Sequence, residues 1–144
     1  MCRRELPPGP EKFFDEGCGL FFPVQRAVER PDGTWGRLTA AQQRAINEVI
    51  RLWQAAADQG HSKAQFNLGQ MYQNGDGVTM DDKKAFEWYT KSAEQGYAGG
   101  QYSLGYMYRN SKGVTKDLKK AVECFTKAAE QKFQAAIDAL KDLS

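Results

Sequence analysis

The chain is poor in the side chains that carry most enzyme chemistry. Its 144 residues include one histidine, His61, and three cysteines, Cys2, Cys18 and Cys124, far apart. These do not make a zinc ligand set unless carboxylates fill the gaps. An odd cysteine count without a spacing pattern is no disulfide framework. The expected setting is therefore reduced and intracellular, most simply the cytoplasm. Charge of one sign is lacking too: 20 Lys+Arg against 18 Asp+Glu leave a net charge of +2. No basic field points to nucleic acid. No apolar run exceeds three residues, as in Leu20-Phe21-Phe22 before Pro23, whereas a membrane span needs about 20. Arg3 and Arg4 are not followed by the apolar core of a signal peptide. With 41% hydrophobic and 26% charged residues, the balance fits a folded domain rather than a disordered chain.

What the chain has is a repeat. Residues 64–99 laid over 100–135 agree at 19 of 36 positions. Composition alone gives about one match in fifteen. A half copy precedes them: Ala57-Asp58-Gln59-Gly60 lies 36 residues before Ala93-Glu94-Gln95-Gly96. Each unit holds two helical patterns. Ala64, Leu68, Met71 and Tyr72 form the stripe of a first helix over about 63–73. Ser62 with Gln65 gives an S-x-x-Q start, and Asn74-Gly75-Asp76-Gly77 a stop. A second helix over about 81–95 buries Ala85, Trp88, Tyr89, Ser92 and Ala93, and opens on Asp81 and Asp82 at the positive end of its dipole. The next unit repeats this at about 98–109 and 117–131. Residues 134–143 form a last helix with Ala135, Ala136, Ala139 and Leu140 on the side that closes the stack. Mid-helix Gly69 and Gly105 recur at one repeat position, although each costs about 1 kcal/mol relative to Ala. The close approach of a neighbouring helix backbone accounts for them.

These residues resemble the Sel-1-like repeat family, related to tetratricopeptide repeats. The signature is carried by Leu68-Gly69, Tyr72, Gly75, Gly77, Asp81, Ala85, Trp88-Tyr89, Ala93 and Gly96. The following unit carries Leu104-Gly105, Tyr108, Gly113, Asp117, Ala121, Phe125 and Ala129. Ser111, Cys124 and Lys132 replace a loop Gly, the Trp and the final Gly, and Lys132 suggests an altered geometry at the end of the array. The resemblance implies an all-α, right-handed helix-pair solenoid of about two and a half repeats. Residues 40–63 form the half repeat, 64–99 and 100–135 the full ones, and 134–144 the capping helix. It also implies a monomeric scaffold or adaptor that holds other proteins, as a peptide or helix in a concave groove. It implies no cofactor and no chemistry of its own. A carboxylate hydrolase is a further reading from bacterial relatives, and no paired His, Ser or Cys supports it.

Residues 1–39 are not repeat-like. Pro10 can open a helix, and Phe13, Phe14, Leu20, Phe21, Val24 and Val28 offer apolar surface for an N-terminal cap. Gly17, Gly19 and Pro23 predict a bent helix, or two short ones, over about 11–29. Arg30-Pro31-Asp32-Gly33 reads as a turn, and Thr39-x-x-Gln42 opens a long helix over 40–59. Cys2-Arg3-Arg4-Glu5-Leu6-Pro7 is similar to the tail of a RING finger. On that reading the repeats select the substrate of a ubiquitin ligase whose zinc-binding part is missing; the plain reading is a chance cysteine in a polar tail.

Among candidate sites, His61 stands where later units have Tyr97 and Phe133, which predicts a packing role. Cys124, in place of Trp88, is expected to be buried and inert. The three tryptophans fit core positions. The most basic stretch holds Arg109, Lys112, Lys116, Lys119 and Lys120 against Asp117, a solvated face by default. The first helices are expected to line the concave side, with Tyr72 and Tyr108 turned inward. The partner-binding candidates are then Asn67, Gln70, Asn74, Ser103, Tyr106, Arg109 and Asn110.

Overall fold

The structure, a computed structural model, describes residues 8–144. The RING-like segment over residues 2–7 lies outside the described residues. Among the described residues seven helices follow one another: α1 (Pro10–Val28), α2 (Ala40–Asp58), α3 (Ser62–Asn74), α4 (Asp82–Glu94), α5 (Ala98–Asn110), α6 (Leu118–Glu130) and α7 (Gln134–Leu143). Extended pairing among the described residues is a single bridge, Glu29 to Trp35. The chain is an all-α helix-pair solenoid: α1 packs on α2, α3 on α4 and α5 on α6, and α7 closes the stack on α6.

The start signals are local chemistry. At α2, Thr39 Oγ1 accepts from Gln42 N (3.1 Å) and Gln42 Oε1 from Thr39 N (2.8 Å), so two orphan donors are satisfied reciprocally. Asp81 and Asp117 cap α4 and α6, each accepting from the amide three residues on at 3.0 Å. At α3 the cap is His61 rather than Ser62: its Nδ1 accepts from Ala64 N at 3.1 Å. The Gln65 amide turns inward instead, donating to the Ala57 carbonyl at 3.0 Å.

α1 is one helix, not two. Pro23 lies on its exposed side with Gly19 and Phe22. The Gly19 carbonyl that loses its N–H partner can bond to water, and glycine leaves room for the ring. Leu20, expected to pack, stands 38% exposed. Phe14, Phe21 and Val24 are buried with Ile46, Val49 and Trp53 of α2 in one cluster. At the far end Ala136 and Ala139 pack on Ala121, Phe125 and Ala128, while Ala135 points to solvent.

Aromatic contacts recur through the stack. The residue before each first helix lies on an aromatic ring of the preceding one: His61 on Phe14 (4.6 Å), Tyr97 on Phe66 (5.3 Å), Phe133 on Tyr102 (5.6 Å). Three residues after each of those rings comes a glycine. A Cβ on Gly69 would meet the Tyr89 ring at 2.6 Å, one on Gly105 the Phe125 ring at 2.8 Å, and one on Gly17 would overlap the Trp53 indole. The close approach is thus an aromatic side chain of the paired helix, rather than backbone alone. Trp53, Tyr89 and Phe125 are spaced by 36. Phe14-x-x-Gly17 therefore places α1 where the first helix of a pair belongs. The N-terminal helix completes the half repeat.

Other expectations shift in degree. Tyr72, Trp88, Tyr108 and Cys124 are half-buried rather than core. Lys84 lies over Tyr72 (5.1 Å), Lys120 over Tyr108 (5.5 Å) and Lys91 over Trp88 (4.5 Å). The ammonium of each exposed lysine sits over a ring at the surface, a cation–π contact made at the edge of the solvent. Lys132 does not distort the end of the array. It takes φ 62°, close to Gly60 and Gly96 at 84°, and α7 follows in register.

Candidate functional site

α1 and α3 are both first helices, and between them lies a cleft of about 350 Å³. One wall comes from α1, with Phe14, Cys18, Phe21, Phe22 and Gln25. The other comes from α3, with Lys63, Asn67, Gln70 and Asn74; Asp76 closes the end, with Trp53 and Met71 at the floor. Positions 63, 67, 70 and 74 are spaced by four, three and four, so they share one helical face. The α1 wall is aromatic and the α3 wall is mostly amide.

The sequence candidates divide here. Asn67, Gln70 and Asn74 come together in this cleft. Ser103, Tyr106, Arg109 and Asn110 do not join them. Arg109 stacks its guanidinium over Tyr106 (5.5 Å) and Phe125 (5.6 Å). Asn110 Nδ2 donates to the Tyr106 carbonyl at 2.9 Å, which satisfies the end of α5. Ser103 lies near the Tyr89 phenol, whose hydroxyl donates to Gln73 Oε1 at 2.6 Å. Burial pushes that phenol well above its ordinary value, against the opposing influence of the nearby Ser103 hydroxyl. Sequence reasoning missed the α1 wall. The signal for it was Phe14-x-x-Gly17, matching Phe66-x-x-Gly69 and Tyr102-x-x-Gly105.

Two further hollows border the long loops. One, of about 670 Å³, shares Gln25, Asn74 and Asp76 with the cleft and adds Glu29 and Asp32. The other, of about 750 Å³, lies between the α1–α2 linker and the α3–α4 loop, with Arg37, Tyr72 and Lys84 on its lining. In the first, burial raises the Asp76 carboxyl above its ordinary range; an Asn74 hydrogen bond opposes this and the Glu29 charge adds to it.

His61 has a partner that the sequence did not reveal. Its Nε2 lies 2.9 Å from Glu11 Oε2. Because Nδ1 accepts the Ala64 amide, Nε2 carries the proton and donates to Glu11. Nε2 thus ties α1 to the α2–α3 turn while Nδ1 caps α3. Burial pushes the Cys18 and Cys124 thiols up, with a Trp53 hydrogen bond opposing it at Cys18. Neither is poised as a thiolate at neutral pH. Among the described residues no group of three or more His, Cys, Asp or Glu is placed to hold a metal ion, and no helix is long and apolar enough to cross a membrane.

Comparison with protein families matches the Sel1 repeat over residues 50–61, 62–97 and 98–133, more than half of the chain. The chain belongs to the Sel1 repeat family. The second and third Sel1 matches begin on the first residues of α3 and α5. The RING-like segment and α1 precede the first match. Among solved structures, a Sel1 repeat protein from Oxalobacter formigenes is 33% identical, with a TM-score of 0.66 over 92% of this chain and 95% of that one. The cysteine-rich protein B of Helicobacter pylori shares the fold at 20% identity, with a TM-score of 0.63 over 90% and 93%. Two curated relatives are named exopolysaccharide production negative regulators. That of Rhizobium leguminosarum bv. viciae is 41% identical over 44 residues, 31% of this chain and 16% of the relative. That of Rhizobium meliloti is 29% identical over 87 residues, 58% and 30%. The chain thus spans less than a third of the length of the curated relatives it matches.

Proposed function

We propose that this Sel1 repeat chain is an adaptor that binds a segment of a partner protein along its first helices, centred on the α1–α3 cleft. The observation that carries this reading is the row Asn67, Gln70 and Asn74 facing an aromatic wall across an open cleft. Side-chain amides both donate and accept, so they can pair with either group of a peptide backbone. Apolar rings beside them supply the burial that makes such contacts hold. The names of the rhizobial relatives suggest that such binding serves a regulatory role, such as restraining exopolysaccharide production. That extension rests on a likeness covering part of those proteins.

The test is capture of partners by the full chain, followed by replacement of Asn67, Gln70 and Asn74 with Ala together. The adaptor reading expects binding to fall at least about tenfold, roughly 1.4 kcal/mol, with the melting temperature nearly unchanged. Replacing Ser103, Tyr106, Arg109 and Asn110 locates any share borne by α5. If binding survives both sets and falls on changing Lys116, Lys119 and Lys120, the basic face of the α5–α6 loop and α6 is the site.

A further inference from the structure

We propose that the α1–α3 cleft selects a short extended peptide that sets one bulky apolar side chain against the α1 wall and a lysine or arginine at the Asp76 end. This deepens the adaptor reading and rests on it. The two walls run in the same direction. Lys63 lies over Phe14, its Nζ 5.6 Å from the ring centre, so the start of α3 faces the early part of α1. At the other end Gln25, Asn74 and Asp76 line both the cleft and the hollow that continues it. From Lys63 to Asn74 the α3 face is about 16 Å long at 1.5 Å per residue. That is room for about five residues of extended chain.

The charges along this groove are ordered. Lys63 is the cation at one end. At the other, Asp76 is joined by Glu29 and Asp32, and no Lys or Arg lines the continuing hollow. Arg30 stands near Asp32 but not on that lining. Asp76 is half-buried, and Glu29 repels its charge. A cationic side chain set between them would relieve that repulsion, whereas an acidic one would add to it. On the α1 wall Phe22 is 46% exposed. It packs edge-on against Phe21 at 5.6 Å between ring centres and leaves the rest of its surface uncovered. A leucine-, methionine- or phenylalanine-sized side chain fits a cleft of about 350 Å³ and would bury that ring. The amides between the two ends pair with backbone and tolerate any intervening residue. Specificity therefore sits at the apolar and acidic ends.

The test is selection from a nonapeptide library displayed on phage and panned against the immobilised full chain. The winning peptide and its Lys- or Arg-to-Gln version are then measured by fluorescence anisotropy. Expected is enrichment of a large apolar residue within about five positions of a lysine or arginine. Phe22→Ala should weaken both peptides. Asp76→Asn should weaken the basic peptide about tenfold or more and leave the Gln version nearly unchanged. Glu29→Gln, on an exposed side chain, repeats the charge test should Asp76→Asn fail to fold. Enriched peptides without a basic residue overturn this inference and leave the adaptor reading standing. So does an equal effect of the charge variants on both peptides. A library that yields no binder overturns both.

Discussion

Lys132 shows at residue scale how far one position can depart from the repeat without disturbing it. At φ 62° it pays the left-handed cost that Gly60 and Gly96 avoid. Lys132→Gly should therefore raise stability by about 0.5–1 kcal/mol, the steric relief less the added chain entropy of glycine, read as a higher urea midpoint. Ser111 at φ 54° bonds its hydroxyl to the Val114 carbonyl at 3.1 Å, so a Gly there should give a smaller gain. Gly69→Val drives a branched side chain into the Tyr89 ring. It should cost roughly 2–4 kcal/mol through overpacking and lower helix propensity, and a melt like the parent's would refute the contact. Asp76 makes a prediction about pH. Its carboxyl titrates above the ordinary 3.8 because burial disfavours its charge. The folded state therefore holds this proton more tightly than the unfolded chain. Stability from this group is full below 3.8 and is lost as pH rises through the higher folded value. Urea midpoints across that range should fall less in Asp76→Asn than in the parent.

At the scale of elements, the second helices and the capping helix were legible because they are periodic. Thr39, Asp81 and Asp117 announce helix starts through short polar side chains whose bonds the structure contains. α1 was only half legible. Its apolar residues were evident, yet Gly17 and Pro23 read as interruptions. Gly17 is instead a seat for Trp53, whose Nε1 donates to the Phe14 carbonyl at 3.2 Å. No local rule can tell a glycine that breaks a helix from one that admits a ring, since the ring comes from 36 residues away. The amides of the cleft were legible for a related reason: α3 supplies them all in one periodic face. Their opposite wall was not, because it lies outside the period. Pro23 gives the element its own prediction. Since it stands on the exposed side of α1, Pro23→Ala should restore one backbone bond and stabilise the chain by roughly 1–3 kcal/mol, seen as a higher melting temperature. His61→Ala should act oppositely. It removes the α3 cap and the Phe14 stack at once, for about 1–2 kcal/mol.

Across the whole molecule, each helix pair touches only its neighbours, so stability is a sum of units and interfaces rather than one indivisible core. The largest cluster joins α1, α2 and α3 with Trp53 at its centre, while α7 contributes only Ala136 and Ala139 as buried residues. Amide hydrogen exchange should therefore be slowest in α2 and α3 and fastest in α7, with α6 next. Uniform protection across all seven helices would contradict that gradient. The spacing of the stacked rings carries a last consequence. Phe66 and Tyr102 are 36 residues apart, but Phe14 and Phe66 are 52 apart. The surplus lies chiefly in the long first two helices and the linker over 29–39, and the three rings still seat alike. A period search counts residues, whereas the stack counts rings and glycines, so a further unit in an array of this kind can hide behind an off-length connection. The same slack marks residues 30–34, a tight turn closed by Asp32 on Thr34, as the place where a foreign loop can be grafted without the neighbouring pairs registering the insertion.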